Sequence, residues 1–298
     1  MPDSRFVLAA VTVSRVTRVS PSFVRVEFTG PELAELGTRG AVYDQRIKLV
    51  LPTAAGTLPD LGGADSWWDA WRALPEDERG AMRTYSIREL RGEGGDRRLV
   101  VDLVLHLVPG ATGPASRWAA AAAVGDRVLV VGPRRTTTDG AGIEFAPGDA
   151  EQLLLAGDET AVPAIARILD DLPAHARGDA FLEVPHADDV DELAAPEGVR
   201  VTWLPRAGEP VGAHLVRHVV EHLGGRADDR TTVYRDEPED EFEPWETPAH
   251  PAAGLYAWIA GESGVVTALR RHLVRDLGMD RGQVAFMGYW RQGVAMRG

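Results

Sequence analysis

Gln152-Leu153-Leu154-Leu155-Ala156-Gly157-Asp158-Glu159-Thr160-Ala161-Val162-Pro163-Ala164-Ile165 runs from a continuous apolar stretch through a tight polar turn into a helix over Val162–Leu172. A short unbroken apolar run of this kind, followed by a turn and a helix, reads as a strand buried on both faces of a parallel sheet. The rhythm repeats downstream. Strands are expected at Phe181–Val184, Val199–Leu204, Leu255–Ala260 and Gln283–Met287. Helices are expected at Ala187–Leu193, which is acidic, at Val211–Leu223, and at Gly264–Leu277, ending at Gly278. Strand–helix alternation of this sort makes a parallel α/β domain with helices on both faces of its sheet.

Upstream the period changes from helical to two. Phe6–Arg18 alternates around Val7, Val11, Val13 and Val16, and Phe23–Phe28, Arg46–Leu51, Met82–Arg88, Leu99–Leu107 and Val128–Val131 are further strands. Residues 52–80 form a long Gly-, Pro- and Asp-rich connection, and Trp67, Trp68 and Trp71 within it predict a short packed helix. Six short strands with turn signals between them read as an antiparallel barrel. The change of rhythm near Pro147–Gln152 gives two domains, 1–148 and 149–298. Residues 224–253 interrupt the second, with seven acidic residues from Asp236 to Glu246. They read as a solvated loop, a docking tail being the other reading.

Composition narrows the chemistry. The 298 residues carry 32 Lys+Arg against 45 Asp+Glu, a formal charge of −13, with 44% hydrophobic and 26% charged residues, ordinary for a folded soluble chain. There is no cysteine, which excludes disulfides, Cys-ligated zinc, iron–sulfur clusters and a cysteine nucleophile. The acidic balance argues against nucleic acid and against anionic membrane surfaces as partners. No apolar run approaches the roughly 20 residues of a membrane span, and Met1–Ala10 lacks the apolar region and cleavage site of a signal peptide. The cytoplasm is the expected compartment. Lys48 is the only lysine, so 31 of the 32 basic residues are arginines.

Five stretches can carry chemistry. In Arg83-Thr84-Tyr85-Ser86-Ile87-Arg88, Arg83 and Tyr85 face one side of a strand, and Thr84 and Ser86 the other. An aromatic ring, a cation and small hydroxyls suit a planar cofactor with a pyrophosphate tail, although a mixed solvent-facing strand would look the same. The strand bearing Asp102 and His106 leads into Pro109-Gly110-Ala111-Thr112-Gly113-Pro114-Ala115-Ser116-Arg117-Trp118 and an alanine run. A glycine-rich turn into a helix opened by proline is a natural pyrophosphate cradle, or an ordinary loop-to-helix junction. Gly157–Thr160 lies at the strand end where open α/β sheets bind nucleotides. Two adjacent acids repel a pyrophosphate, so Asp158, Glu159 and Thr160 are expected at the nicotinamide end of a dinucleotide, with helix capping as the plainer role. Gly261-Glu262-Ser263 repeats that geometry and can meet phosphate or ribose. Tyr289-Trp290-Arg291 can cover a planar ring and offer a cation, or simply pack the chain end. Arg206, after a strand end, can pair a 2′-phosphate or be a plain surface arginine.

These motifs, with Phe181–Pro185, occur in one order, from about residue 6 to 293, and together resemble the siderophore-interacting protein family of flavin-dependent ferric-siderophore reductases. The resemblance implies a ferredoxin-reductase-like fold, with FAD on the N-terminal barrel and NADPH or NADH on the C-terminal domain. It implies Arg83, Tyr85 and Ser86 on the flavin strand, Gly113, Ala115 and Ser116 over the FAD pyrophosphate, and Asp158, Glu159 and Thr160 toward the nicotinamide. Lys48 and Arg291, with Arg134 a weaker match, would hold an anionic ferric siderophore. Where the family often has histidine this chain has Arg46. Electrons would pass from NAD(P)H through FAD to Fe(III), and the Fe(II) formed binds oxygen-rich siderophores far less tightly. No side chain need act as nucleophile or acid, and one chain holds the whole site, so a monomer is expected. The competing readings are a flavin reductase with another acceptor, such as a redox protein or quinone, and a non-catalytic siderophore-binding protein.

Overall fold

The computed structural model describes residues 4–107, 112–136, 140–225, 245–246 and 254–294. They form two compact units, divided between Ile143 and Glu144.

The first unit is built on β1 (Phe6–Arg18), β2 (Phe23–Thr29), β3 (Arg46–Val50), β4 (Met82–Ser86), β5 (Glu89–Arg91), β6 (Arg98–Val104) and β7 (Arg127–Pro133), with α1 (Trp67–Ala73) and α2 (Pro114–Ala121). Every pairing is antiparallel, in the order β4-β3-β7-β1-β2-β6-β5. The expected strand 82–88 is split. Ile87 N–H donates to Gln45 O on the β3 side, and Arg88 N–H donates to Val100 O on the β6 side. Two residues thus carry the chain between strands at opposite edges of the sheet, which requires the sheet to curl. Val7, Ala9, Val11 and Val13 alternate inward along β1 and meet Val26, Phe28, Leu49, Val101 and Val130 in the interior. On the outer side, Trp71 of α1 packs with Leu61 on Val50, Met82 and Leu129. The tryptophan-rich segment is therefore a helical cover for one part of the sheet.

The second unit contains β8 (Gln152–Gly157), α3 (Val162–Asp171), β9 (Gly178–Val184), β10 (Val199–Pro205), α4 (Ala213–His222), β11 (Trp245–Glu246), β12 (Leu255–Glu262), α5 (Ser263–Arg271) and β13 (Val284–Trp290). The sheet order is β10-β9-β8-β12-β13-β11, parallel except for β11. Leu215, Val216 and Val219 of α4, with Val266 and Leu269 of α5, cover one face over Leu154, Ala257, Ile259 and Phe286. From β8 the chain moves to β9; from β12 it moves the other way, to β13. Right-handed crossovers in opposite directions put α3 and α5 on opposite faces. The strand order therefore reverses between β8 and β12, and a crevice opens at their C-terminal ends.

Three sequence expectations are corrected. The acidic helix at 187–193 is a single 3-10 turn, Ala187–Asp189, because the Asp189 carboxylate turns back to accept from His186 N–H at 3.0 Å. The helix expected to reach Leu277 is regular only to Arg271 and continues as a π turn over His272–Asp276. The last strand runs on to Trp290 and so carries Tyr289 and Trp290 on the sheet itself. Of the acidic stretch 236–246, only Trp245–Glu246 is among the described residues, where its backbone pairs with Met287 and Phe286.

Candidate functional site

On the barrel, register sorts the side chains. Lys48 faces Thr84 and Arg46 faces Ser86, while Ile47 faces Tyr85 and Leu49 faces Arg83. Cross-strand partners share a face, so Arg46, Lys48, Thr84 and Ser86 lie together, opposite Arg83 and Tyr85. Lys48 Nζ donates to Thr84 Oγ1 at 2.7 Å. Burial and the neighbouring Arg46 charge both lower the proton affinity of Lys48. A cation held beside another cation gains from an anionic ligand. Tyr85 packs against the barrel core, and burial pushes its phenol up to about 12, so it is neutral. Arg83 Nη1 donates to Met82 O at 2.7 Å, and burial lowers its proton affinity.

The opening of α2 is the natural cradle on this unit. Its N-cap, Gly113, has no side chain to cap it, and a Cβ there would meet nothing within 4 Å among the described residues. The amides past Pro114 and the positive end of the helix dipole suit a phosphate. The loop at 108–111, which includes Pro109, Gly110 and Ala111 of the motif, lies outside the described residues. The Ser116 hydroxyl is engaged within the barrel. It donates to Val104 O at 3.2 Å and accepts from His106 N–H at 3.1 Å, which ties α2 to the end of β6. Ala115 is buried in the barrel core.

Two further expectations change. Asp102 is buried and bonded bidentately by Arg25, both contacts 2.7 Å, with Arg88 Nε at 3.8 Å. It cross-links β2 and β6, and its acceptor atoms are committed there rather than facing a cofactor. Arg134 pairs with Glu35 and donates to Ser4 O at 2.7 Å, so its guanidinium anchors the end of β7.

The crevice of the second unit is dominated by the protein's own carboxylates. Asp158 is 1% exposed. Its Oδ1 accepts from Thr160 N–H at 2.9 Å and from Thr160 Oγ1 at 2.5 Å. Its Oδ2 accepts from Glu262 N–H at 2.7 Å and from Trp290 Nε1 at 2.8 Å. Burial, and then the Glu159 charge, raise its carboxyl to about 7 despite these donors. Gly261 makes the room: its φ is +144°, and a Cβ there would lie 2.6 Å from Asp158 Oδ2. Gly261→Ala is expected to lower stability by about 1–3 kcal/mol, from backbone strain and displacement of that carboxylate. Urea denaturation measures it, and an unchanged midpoint would show that Asp158 moves aside freely.

Glu159 is also buried, and Arg206 binds it bidentately at 2.6 and 3.0 Å. Arg206 Nη1 lies 3.4 Å from Glu183, and the residue is 8% exposed. The expected 2′-phosphate contact is therefore corrected: two internal carboxylates take this guanidinium. Glu183, fully buried, also accepts from Gly212, His214 and Leu215 N–H at 2.7–3.1 Å, capping α4. Glu262 accepts from Gly264 and Val265 N–H at 2.8 and 3.1 Å, capping α5, and from Gln292 N–H at 3.2 Å. Two of the amides that this turn could offer a phosphate are thus taken by its own carboxylate. Ser263 Oγ donates to Trp290 O at 3.0 Å. Tyr289 stacks on Trp245, ring centroids 6.1 Å apart, and Arg291 is exposed beyond Trp290. Lys48 and Arg291 belong to different units. The sequence reading missed Glu183 and Arg25; a lone acid in the apolar stretch Phe181–Val184 was the available signal for Glu183.

Residues 12–137 match the family described as siderophore-interacting FAD-binding domain, and residues 150–293 match that described as siderophore-interacting protein. A siderophore utilization protein from T. fusca is 30% identical, with a TM-score of 0.69, over 98% of this chain and 96% of that one. The chain belongs to the siderophore-interacting protein family. Its barrel and parallel sheet are ferredoxin-reductase-like. The ferric vibriobactin reductase ViuB of Vibrio cholerae is 27% identical over 92% of this chain and 86% of its own length. The NADPH-dependent ferric-chelate reductase of Escherichia coli is 28% identical over 97% and 94%. These names support an oxidoreductase that uses FAD and NAD(P)H. Among the described residues, no helix is long and apolar enough to cross a membrane.

Proposed function

We propose that this family member reduces ferric siderophores, with residues 1–148 holding FAD and 149–298 receiving NAD(P)H. The observation that carries the reading is the contrast between helix openings. On the second unit α4 and α5 are capped by Glu183 and Glu262, and the amides of Thr160, Ala161 and Val162 that open α3 are taken by Asp158, whereas α2 on the barrel opens at Gly113 and lies in the unit that also carries the Arg46–Lys48 cation face. A diphosphate and an anionic chelate both fit that barrel chemistry. Bound FAD would supply the chemistry that links two-electron oxidation of NAD(P)H to one-electron reduction of Fe(III). The side chains then bind and orient. From one face of β4 Tyr85 offers a neutral aromatic face and Arg83 a cation for the diphosphate, from the other Thr84 and Ser86 offer hydroxyls, and α2 offers its amides. Lys48, with Arg46 beside it, attracts the chelate, and Arg291 is a further candidate cation for it. Thr160, Trp290 and Tyr289 line the crevice that meets the nicotinamide. The reading places the reaction in the cytoplasm and in a single chain, and the neutralised Arg206 gives no preference for NADPH over NADH.

A visible spectrum tests it. The protein is expected to show bound flavin that bleaches with anaerobic NADPH and recovers on adding a ferric catecholate. A protein that holds no FAD when it is supplied in excess would overturn the reading in favour of a binding protein. Recovery with quinone but not with the chelate would favour another acceptor. Arg83→Ala is expected to weaken FAD binding about tenfold or more, the loss of one charge-assisted hydrogen-bonding group, read by flavin fluorescence titration.

A further inference from the structure

Asp158 does more than cap a turn. Its four donors come from three different strand ends. Thr160 follows β8, Glu262 ends β12 and Trp290 ends β13. One carboxylate therefore spans the point where strand order reverses, and Gly261 is shaped to admit it. Trp290 is only partly buried, and its indole N–H is spent on this bond. We propose that Asp158 is a positioning residue that fixes the Trp290 indole at the crevice, and that proton uptake by its carboxylate loosens this hold. The proposal rests on the reading that the crevice receives the nicotinamide.

The proton has a defined place. All of the neighbours at Oδ2 are N–H donors and cannot accept. At Oδ1 the Thr160 hydroxyl can turn from donor to acceptor. Protonation therefore falls on Oδ1 and leaves Oδ2 as a neutral carbonyl. The bond to Trp290 loses its ionic character, and charge-assisted bonds are roughly twice as strong as neutral ones. The charged groups around Asp158 are acidic in sum, three carboxylates against one guanidinium, which opposes its ionisation. Glu159 on the same turn opposes its ionisation, Arg206 beyond β10 offsets Glu159, Glu183 of β9 shares that arginine, and Glu262 of β12 adds a further carboxylate nearby. With the carboxyl near 7, the change falls at physiological pH.

The indole N–H signals of the full-length protein in 1H–15N spectra, recorded from pH 5 to 9, test this without NADPH. Trp290→Phe identifies the Trp290 signal by its loss. That signal is expected to titrate with a midpoint near 7. In Asp158→Asn the amide mimics the protonated acid, so the signal is expected to sit at the wild-type low-pH position at every pH. Flavin reduction by NADPH in the holoenzyme is expected to be about tenfold slower at pH 6 than at pH 8, and to lose this pH dependence in Asp158→Asn. A Trp290 signal that does not move, or that still titrates in Asp158→Asn, overturns the proposal. A titrating signal with a pH-independent reduction rate also overturns it, since the held indole would then not serve the site. If NADPH reduces no flavin, the functional reading fails, and the indole titration still decides whether Asp158 holds Trp290.

Discussion

Arg206→Met is expected to destabilise the second unit by about 3–5 kcal/mol, the range for removing one partner of a buried ion pair. The guanidinium is the cation between Glu159 and Glu183, whose side chains are 2% and 0% exposed. Without it, Glu183 still accepts three amides at the start of α4. Glu159 loses a bidentate partner and faces Asp158 across a buried turn. Most of the loss should therefore trace to Glu159. Adding Glu159→Gln to Arg206→Met is expected to recover a large part of it, because a neutral amide costs less to bury than a carboxylate that has lost its bidentate cation. Urea denaturation of the two variants measures both effects. A single variant within 1 kcal/mol of wild type would mean that water reaches Glu159 readily. Asp158 adds a pH signature. Its carboxyl is raised in the fold, so its contribution to stability is greatest below the ordinary carboxylate range near 4 and is lost as pH rises through about 7. Asp158→Asn is expected to flatten that part of the stability profile.

What the sequence shows about this molecule depends on the range of the interaction. The barrel and the parallel sheet were legible because period-two alternation in Phe6–Arg18 and the unbroken run Gln152–Ala156 are local signals that burial enforces. The helix at 187–193 failed because Asp189 preferred to cap its own turn. The turns at Asp158 and Glu262 were legible as strand-end turns, and capping was weighed for the first. Their partners were not legible. Arg206 is 47 residues from Glu159 in sequence, and Arg25 is 77 from Asp102. Nothing local marks such a pair, so Arg206 and Asp102 read as available to ligands when their charges are already taken. Lys48 was legible for the opposite reason. As the only lysine among 32 basic residues, it stood out in composition, and in the fold it lies beside Arg46 rather than beside an acid that would raise its proton affinity.

That position makes Lys48 the site of the second large effect. Replacing Lys48 with Ala is expected to reduce the rate of ferric-catecholate reduction at low substrate by about 10–100-fold, the equivalent of a lost charged hydrogen bond of roughly 1.5–3 kcal/mol. Reduction of a small neutral acceptor should be spared, since it draws on the flavin but not on the cation. A chain carrying −13 repels anions overall, so an anionic chelate must be drawn in by a local field. The wild-type rate should accordingly fall with added salt, and the Lys48→Ala rate should fall less steeply. Arg291→Ala, on the other unit, is the partner variant. If both cations hold one chelate, the double variant will lose a different amount from the sum of the two single losses, because side chains that share a ligand are not independent. Strictly additive losses would assign them to separate anions. Equal loss of chelate and neutral-acceptor reduction in Lys48→Ala would remove the lysine from substrate binding and return it to the flavin. Arg46 supplies the internal control. Replacing it with histidine, Arg46→His, withdraws one of the two causes that lower Lys48's proton affinity when the imidazole is neutral. Lys48 then holds its proton more firmly, and chelate reduction at high pH is expected to be retained to a higher pH than in the wild type.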